Sequence, residues 1–371
     1  MIKYYQSLVG LRRLLLILLL AMGIGAVFIL FIGVNPLRAY LVLFQSAFNG
    51  RLGFGTMLAH FTPLLLTSMA FAVASKAGAF NVGVEGAVFL GGITSAWVGI
   101  NVIGLPVWLH ILLCFAVAIL TGAIWSFIPA VLKAFYNVSE VCVTILMNYV
   151  ALFITSYLVA GPMSAGVSNA QTHHVLVRIS QFLRPSSANS GLFIAIIITV
   201  LLIIIMRYTT FGYKMRTVGA NPNFAAYIGT DPRLVLIKGM MLSGVIGGVT
   251  GCIEVLGVYG FFQNNFAAGL GFNGMLAALI VKNDLRLVPF MALFLAILRS
   301  GALGMQLQTG VPRSIVDTVT AVFIIIATME LLFSFAQKRR AETLAKVAVS
   351  ATDVSNPVDI DKTVDDGKED M

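Results

Sequence analysis

Apolar runs of membrane-crossing length follow one another along most of the chain, and nothing else limits the possible folds so tightly. They fall at about 14–34, 56–75, 80–99, 105–128, 138–160, 191–206, 235–257, 266–281, 286–304 and 313–335. A bilayer core roughly 30 Å thick takes about 20 residues of helix. Inside it every backbone N–H and C=O needs an internal partner, which leaves helices or a closed barrel. Runs this long, without strict alternation, read as helices. Only 11% of residues are charged, against about 25% in soluble domains, and the mean hydropathy is +0.95. The expectation is an all-α membrane protein with about ten transmembrane helices.

Charge then sets the topology. The net charge of +9 is divided unevenly along the 371 residues. Residues 341–371 carry three basic and eight acidic side chains, a net of −5, leaving 21 basic and seven acidic in residues 1–340. The basic body fits loops facing an anionic cytoplasmic leaflet. It does not fit nucleic-acid binding, because basic and aromatic residues do not interleave on a soluble face. Ten spans put both termini on one side. The segments then facing inward hold 16 lysines and arginines, those facing outward six, so both termini are expected in the cytosol. Lys3, Arg12 and Arg13 precede the first run, which is too long for a signal-peptide core and reads as a first span. The domain reading is a polytopic membrane body over 1–340 and a disordered, acidic cytoplasmic tail over 341–371.

One polar stretch interrupts this pattern, at 207–238. It carries Arg207, Lys214, Arg216, Arg233 and Lys238 against one acid, Asp231. Asn221-Pro222 is a helix-start signal, with an amide to cap and proline at the first turn. A short helix over 223–228 is expected, stopped by Gly229. Its surroundings, Arg216, Asn221, Ala225, Ala226, Tyr227 and Gly229, form a rigid cytosolic knob suited to a partner protein.

Polar side chains inside the apolar runs are the other feature, because each is costly in hydrocarbon unless it meets a partner or a cavity. Asn81 and Glu85 are four residues apart among glycines, which on a helix places them on one face. Glu140, Thr144, Asn148 and Thr155 form one polar stripe on the fifth run. Tyr149 adds an aromatic beside Asn148. Glu254 follows a glycine-rich segment of the seventh run, and Asn273 opens the eighth. Asn81, Glu85, Thr144, Asn148, Tyr149, Glu254 and Asn273 are the candidates for lining a polar substrate path. Hydrogen bonding between helices is the competing explanation. The segments AGAFNVGVEGAVFLGG (77–92) and AGLGFNGMLAALI (268–280) both place Phe-Asn among glycines at the start of a run. In the third and eighth of ten spans they run in opposite directions, which suggests two inverted-repeat halves with a site between them.

Catalytic and metal chemistry find no support. The chain has no HExxH, GxSxG or Walker A lysine motif. His173-His174 has no nearby third ligand, so no metal site is expected. Cys114, Cys142 and Cys252 lie inside apolar runs without ligand spacing. The expectation is a transport protein, not an enzyme. An ion-coupled secondary transporter using Glu85 or Glu254 is one alternative.

Four segments carry a family resemblance: Ala79-Phe80-Asn81-Val82-Gly83-Val84-Glu85-Gly86; Ser139-Glu140-Val141 with Ile145-Leu146-Met147-Asn148-Tyr149; Val218-Gly219-Ala220-Asn221-Pro222 with Ala225-Ala226-Tyr227-Ile228-Gly229; and Gly271-Phe272-Asn273-Gly274 with Leu298-Arg299-Ser300-Gly301. Glu254-Val255-Leu256-Gly257-Val258-Tyr259-Gly260 fits as well. Together they resemble permease subunits of ABC importers for nucleosides and simple sugars, in the wider branched-chain amino acid permease family. The likeness covers about 55–335, and its Glu-Gly and Met-Asn-Tyr elements most resemble the nucleoside branch, a simple-sugar permease being the nearer alternative. It implies a type II importer-like fold in the bacterial cytoplasmic (inner) membrane. It implies as partners a second permease subunit, identical or a paralogue, an ABC ATPase subunit and an extracytoplasmic substrate-binding protein. ATP and Mg would be used by the ATPase, with no cofactor bound by this chain. The helix after Asn221 would be the coupling helix that docks on that ATPase.

Overall fold

The computed structural model describes residues 19, 22–312, 314–318 and 321–322, and these are helical apart from short connections and one irregular segment over 161–190. In chain order the helices are α1 (Met22–Phe31), α2 (Pro36–Phe48), α3 (Gly50–Lys76), α4 (Val84–Asn101), α5 (Val107–Tyr136), α6 (Glu140–Ala160), α7 (Gly191–Tyr208), α8 (Thr210–Ala220), α9 (Pro222–Tyr227), α10 (Pro232–Ile253), α11 (Leu270–Ile280) and α12 (Val288–Thr309). A π-helical turn, Glu254–Tyr259, extends α10.

Six of these are long and apolar enough to cross a membrane: α3, α5, α6, α7, α10 with its π turn, and α12. Helices α1 and α2 are apolar enough only when taken together, and they are bent by 114° at the turn between them, as in a broken span or a re-entrant loop. The tenfold pattern of apolar runs therefore does not map onto ten straight helices among the described residues. The run at 266–281 yields α11, eleven residues long. At 1.5 Å per residue that is about 16 Å, half the thickness of a hydrocarbon core. Gly269, at φ +72°, limits it at one end. Lys282 and Asn283, both with positive φ, limit it at the other. The segment after the first run forms α2, started by Asn35, whose side chain accepts a hydrogen bond from Leu37 N. Most of the run at 313–335, all of the tail at 341–371 and both termini lie outside the described residues.

The run at 80–99 also divides. Helix α3 ends at Lys76, Gly78 takes φ +81°, and α4 starts only at Val84. Asn81 thus sits in the break and Glu85 in the first turn of α4, so the two do not share a helix face as their spacing suggested. Close packing, not side-chain volume, sets the centre of the molecule. In their membrane-length windows α3 and α10 are 78% buried, whereas α5, α6 and α7 are 22%, 17% and 33% buried. Glycines let the backbones of α4, α5 and α10 touch. A Cβ on Gly91 of α4 would lie 2.5 Å from Gly248 Cα, and one on Gly122 of α5 would lie 2.2 Å from Gly244 O. A Cβ on Gly251 would meet Val88 O at 2.1 Å. Such crossings substitute van der Waals contact for the hydrophobic drive that lipid does not supply.

Candidate translocation site and coupling loop

The break between α3 and α4 leaves backbone groups without helical partners, and distant side chains satisfy them. Asn81 Oδ1 accepts from Gly83 N at 2.9 Å, while its Nδ2 donates to Ser243 Oγ on α10 at 3.0 Å. Asn148 on α6 uses both ends of its amide: Nδ2 donates to Val82 O at 3.0 Å, and Oδ1 accepts from Gly86 N at 2.8 Å. Glu85 then reaches the start of α11. Its Oε1 accepts from Gly269 N at 3.0 Å and its Oε2 from Phe272 N at 3.4 Å. A carboxylate at a helix N-terminus is favoured both by the free amides and by the helix dipole. Asn273 donates from Nδ2 to Gly269 O, tightening the same turn.

Glycines bring these parts together. A Cβ on Gly271 would stand 2.6 Å from Glu85 N, so α11 starts directly against the start of α4. Gly83 leaves room for Thr144, whose Cβ lies 3.1 Å from that glycine's missing Cβ. Five of the seven path candidates, Asn81, Glu85, Thr144, Asn148 and Asn273, therefore belong to one place in the fold. The two segments singled out as repeats, 77–92 and 268–280, supply the two helix starts that meet there.

Tyr149 and Glu254 lie elsewhere. Tyr149 is 57% exposed on the outer face of α6. Glu254 is buried, at 5% exposure, in the π turn after α10, and its Oε1 has no hydrogen-bond partner among the described residues. Beside it the irregular segment straps over the end of α10. Val175 N donates to Gly260 O and Ile179 N to Leu256 O, and the Arg178 guanidinium donates to Val258 O at 3.1 Å. His174 packs edge-on against Phe261, with ring centroids 5.1 Å apart.

Trp125 on α5 escaped the sequence reading. Its indole N–H is buried without a partner among the described residues, and a Cβ on Gly86 would come within 2.8 Å of it. A single tryptophan in an apolar run carries no periodic signal, and only the fold places it next to the Asn148–Gly86 bond.

The polar stretch at 207–238 forms α8, α9 and the start of α10. Asn221 caps α9, with its side chain accepting from Phe224 N at 3.0 Å, and Pro222 occupies the first turn. Gly229 follows the helix at φ +78°. Ala225 is fully buried, whereas Ala226 and Tyr227 are exposed, Tyr227 to 90%. Arg216 is exposed and its Nε donates to Gly212 O, at 3.4 Å. The base of this knob grips the break. A Cβ on Gly219 of α8 would lie 2.3 Å from Lys76 O, and one on Gly239 of α10 would lie 2.6 Å from Ala77 Cβ.

The comparisons with known proteins can be set against this geometry. Residues 53–332 match the family model described as the permease component of branched-chain amino acid transport systems. The chain belongs to this permease family. It is 32% identical over 327 residues to the guanosine ABC transporter permease protein NupP of Bacillus subtilis, covering 86% of this chain and 94% of the relative. It is 33% identical over 321 residues to the nucleoside ABC transporter permease protein NupB of Lactococcus lactis, covering 83% and 88%. The glucose ABC transporter permease protein TsgB13 of Haloferax volcanii is 31% identical over 323 residues, covering 84% and 85%. No solved structure matches the chain. As a permease component the protein is a transport subunit and not an enzyme, and its apolar helices make it a multi-pass membrane protein.

Proposed function

We propose that this permease carries nucleosides into the cell as part of an ATP-driven importer. The observation behind the substrate is that relatives named for guanosine and for nucleosides align over more than four fifths of the chain at 32–33% identity. The glucose permease relative, at 31%, supports a simple sugar as the second reading. Nucleosides and sugars share a hydroxyl-rich ring, which suits a path lined by amides, hydroxyls and a carboxylate.

In this reading the chain is one of two permease subunits in the bacterial cytoplasmic (inner) membrane, with both termini cytosolic. It works with a separate ATPase that consumes ATP and Mg, and with an extracytoplasmic binding protein. Ten membrane segments, α4 and the shorter α11 included, make two inverted-repeat halves that meet where the starts of α4 and α11 converge. Asn81, Glu85, Thr144, Asn148 and Asn273, with Trp125, line or hold the path. Glu254 stands nearer its outer end, and Tyr149 reaches it only where α6 meets the second permease chain. The ATPase takes the exposed face of α9 through Ala226, Tyr227 and Gly229, with Arg216 beside it, while Asn221 and Ala225 keep that helix in place. Movement of α9 passes through α8 to Lys76 and Gly78, and so to the break that Asn81 and Asn148 hold. Ligand-driven and ATP-driven steps then bias two arrangements of one rigid network.

Uptake of radiolabelled guanosine or uridine by cells expressing the complete transporter tests the substrate. Competition by unlabelled nucleosides but not by glucose is the expected result; displacement by glucose alone would move the assignment to sugars. Accumulation by the permease alone in vesicles, driven only by an ion gradient, would replace the ATP-driven mechanism with ion coupling through Glu85 or Glu254.

A further inference from the structure

A cleft of about 310 Å³ opens between α8 and the start of α10, beside the turn that leaves α9. Thr210, Phe211 and Lys214 form one wall and Leu234, Val235 and Lys238 the other. Gly229, Thr230 and Asp231 close its end. Both lysines are exposed, and neither has an ion-pair partner among the described residues. Asp231 lies at the same place as the cap of α10, its Oδ1 accepting from Arg233 N at 2.9 Å and Leu234 N at 3.5 Å, and its charge offsets one of the two lysines, so the lining stays net positive. The cleft therefore offers an ammonium group on each wall, with Thr210 beside Lys214, next to the apolar side chains of Phe211 and Leu234.

We propose that this cleft binds a phosphate-bearing anion, supplied by the headgroup of an anionic phospholipid. Two cations on opposite walls match a phosphodiester. The apolar wall distinguishes a lipid from free phosphate, since Phe211 and Leu234 can cover the glycerol and upper acyl carbons. Leu234 is 52% exposed, and Tyr208 and Tyr213 stand exposed on the neighbouring turns, an aromatic setting typical of the membrane–water boundary. Basic pockets at this level recruit anionic headgroups from the cytoplasmic leaflet. The inference rests on the cytosolic side assigned to 207–238, but not on the substrate. An occupant would brace the Gly229–Asp231 turn, which joins the exposed knob to α10, so it would tune coupling without touching the path.

The test measures phospholipid retention by the purified full-length permease with native mass spectrometry, with no transport assay. Phosphatidylglycerol is expected to be retained in preference to phosphatidylcholine. Lys214→Gln/Lys238→Gln is expected to weaken retention about thirty-fold, as two lysines near an anionic headgroup act together, while Lys238→Arg keeps it. Arg286→Gln, which removes an exposed cation elsewhere, is expected to leave it unchanged. Failure of inorganic phosphate to displace the lipid supports the headgroup as the source; displacement by millimolar phosphate supports the same anion site with a soluble source. Equal retention of the two lipids, or equal loss in Arg286→Gln and the double variant, overturns the proposal. So does loss of ATPase association in the double variant with lipid retention unchanged. Failure of nucleoside uptake would bear on the function above and leave these binding results intact.

Discussion

The chain interrupts its helices in two ways, at 207–238 and at 77–83, and the two interruptions are built on opposite principles. The first repairs itself locally. Asn221 caps a helix three residues away, Asp231 caps α10 two and three residues away, and Gly229 supplies the turn between them. The second is repaired from afar. The backbone freed around Val82 and Gly86 is met by Asn148, more than 60 residues later, and Glu85 reaches the start of α11 more than 180 residues later. A self-capped knob can move as a body and keep its shape. A break held by other helices cannot move without moving them. The difference teaches where a displacement at the surface becomes a rearrangement inside, because α8 packs directly on Lys76 and Gly78, and α10 on Ala77, at the edge of that break.

The contrast can be broken most severely at Asn148. Asn148→Leu keeps the branched shape of the side chain but strands Val82 O and Gly86 N, and each orphaned buried group costs about 1–3 kcal/mol. Uptake is expected to fall to background and the thermal midpoint of the purified permease to drop clearly. Uptake above half the original level would show that the break is not held from α6. Glu85→Gln is the next largest. It keeps the length but points an NH2 toward one of the two amides at the start of α11, and a charged cap exceeds a neutral one by about 1–2 kcal/mol. Uptake is expected to fall about five- to tenfold at unchanged protein level. An equal loss in Glu254→Gln would remove the distinction between the converging helix starts and the π turn.

Legibility follows the same division. Asn221-Pro222 and Gly229 could be read because cap, proline and glycine act within a few residues. The residue types of the inner network could be read too, since Asn81, Glu85 and Asn148 are anomalous in apolar runs. Their pairing could not: nothing near Asn148 says that its amide will span Val82 O and Gly86 N. The half-length α11 was hidden because hydropathy across 266–281 is continuous and the limits are set by backbone conformation at Gly269, Lys282 and Asn283. Trp125 was hidden because an indole in lipid needs no special explanation until its N–H is found buried and unpaired among the described residues. Ala225 and Ala226 looked equivalent in sequence, and only packing shows one inside and one outside.

At the knob the expected effects are smaller and separable. Asn221→Ala removes the α9 cap, worth about 1 kcal/mol. It is expected to reduce uptake two- to threefold with little change in the thermal midpoint, because α9 is six residues long and its loss of order stays local. A large drop in that midpoint would mean that the knob is not self-contained.

Tyr227→Ala sharpens the comparison furthest while disturbing the chain least. The side chain is 90% exposed, and substitutions at such positions change stability by about 0.5 kcal/mol or less. An isolated permease should therefore unfold at the same temperature with or without it. In the assembled transporter an exposed aromatic on a rigid turn is a natural anchor for a partner's pocket. The expected outcome is unchanged membrane insertion and an unchanged midpoint, with less ATPase copurifying and uptake reduced. Ala226→Trp should act likewise from the neighbouring exposed position, whereas Ala225→Trp should lower the midpoint of the isolated chain because that position is buried. If Tyr227→Ala leaves ATPase association and uptake at their original levels, α9 is a surface ornament. The route by which force reaches Lys76 and Ala77 would then have to start from another part of 207–238.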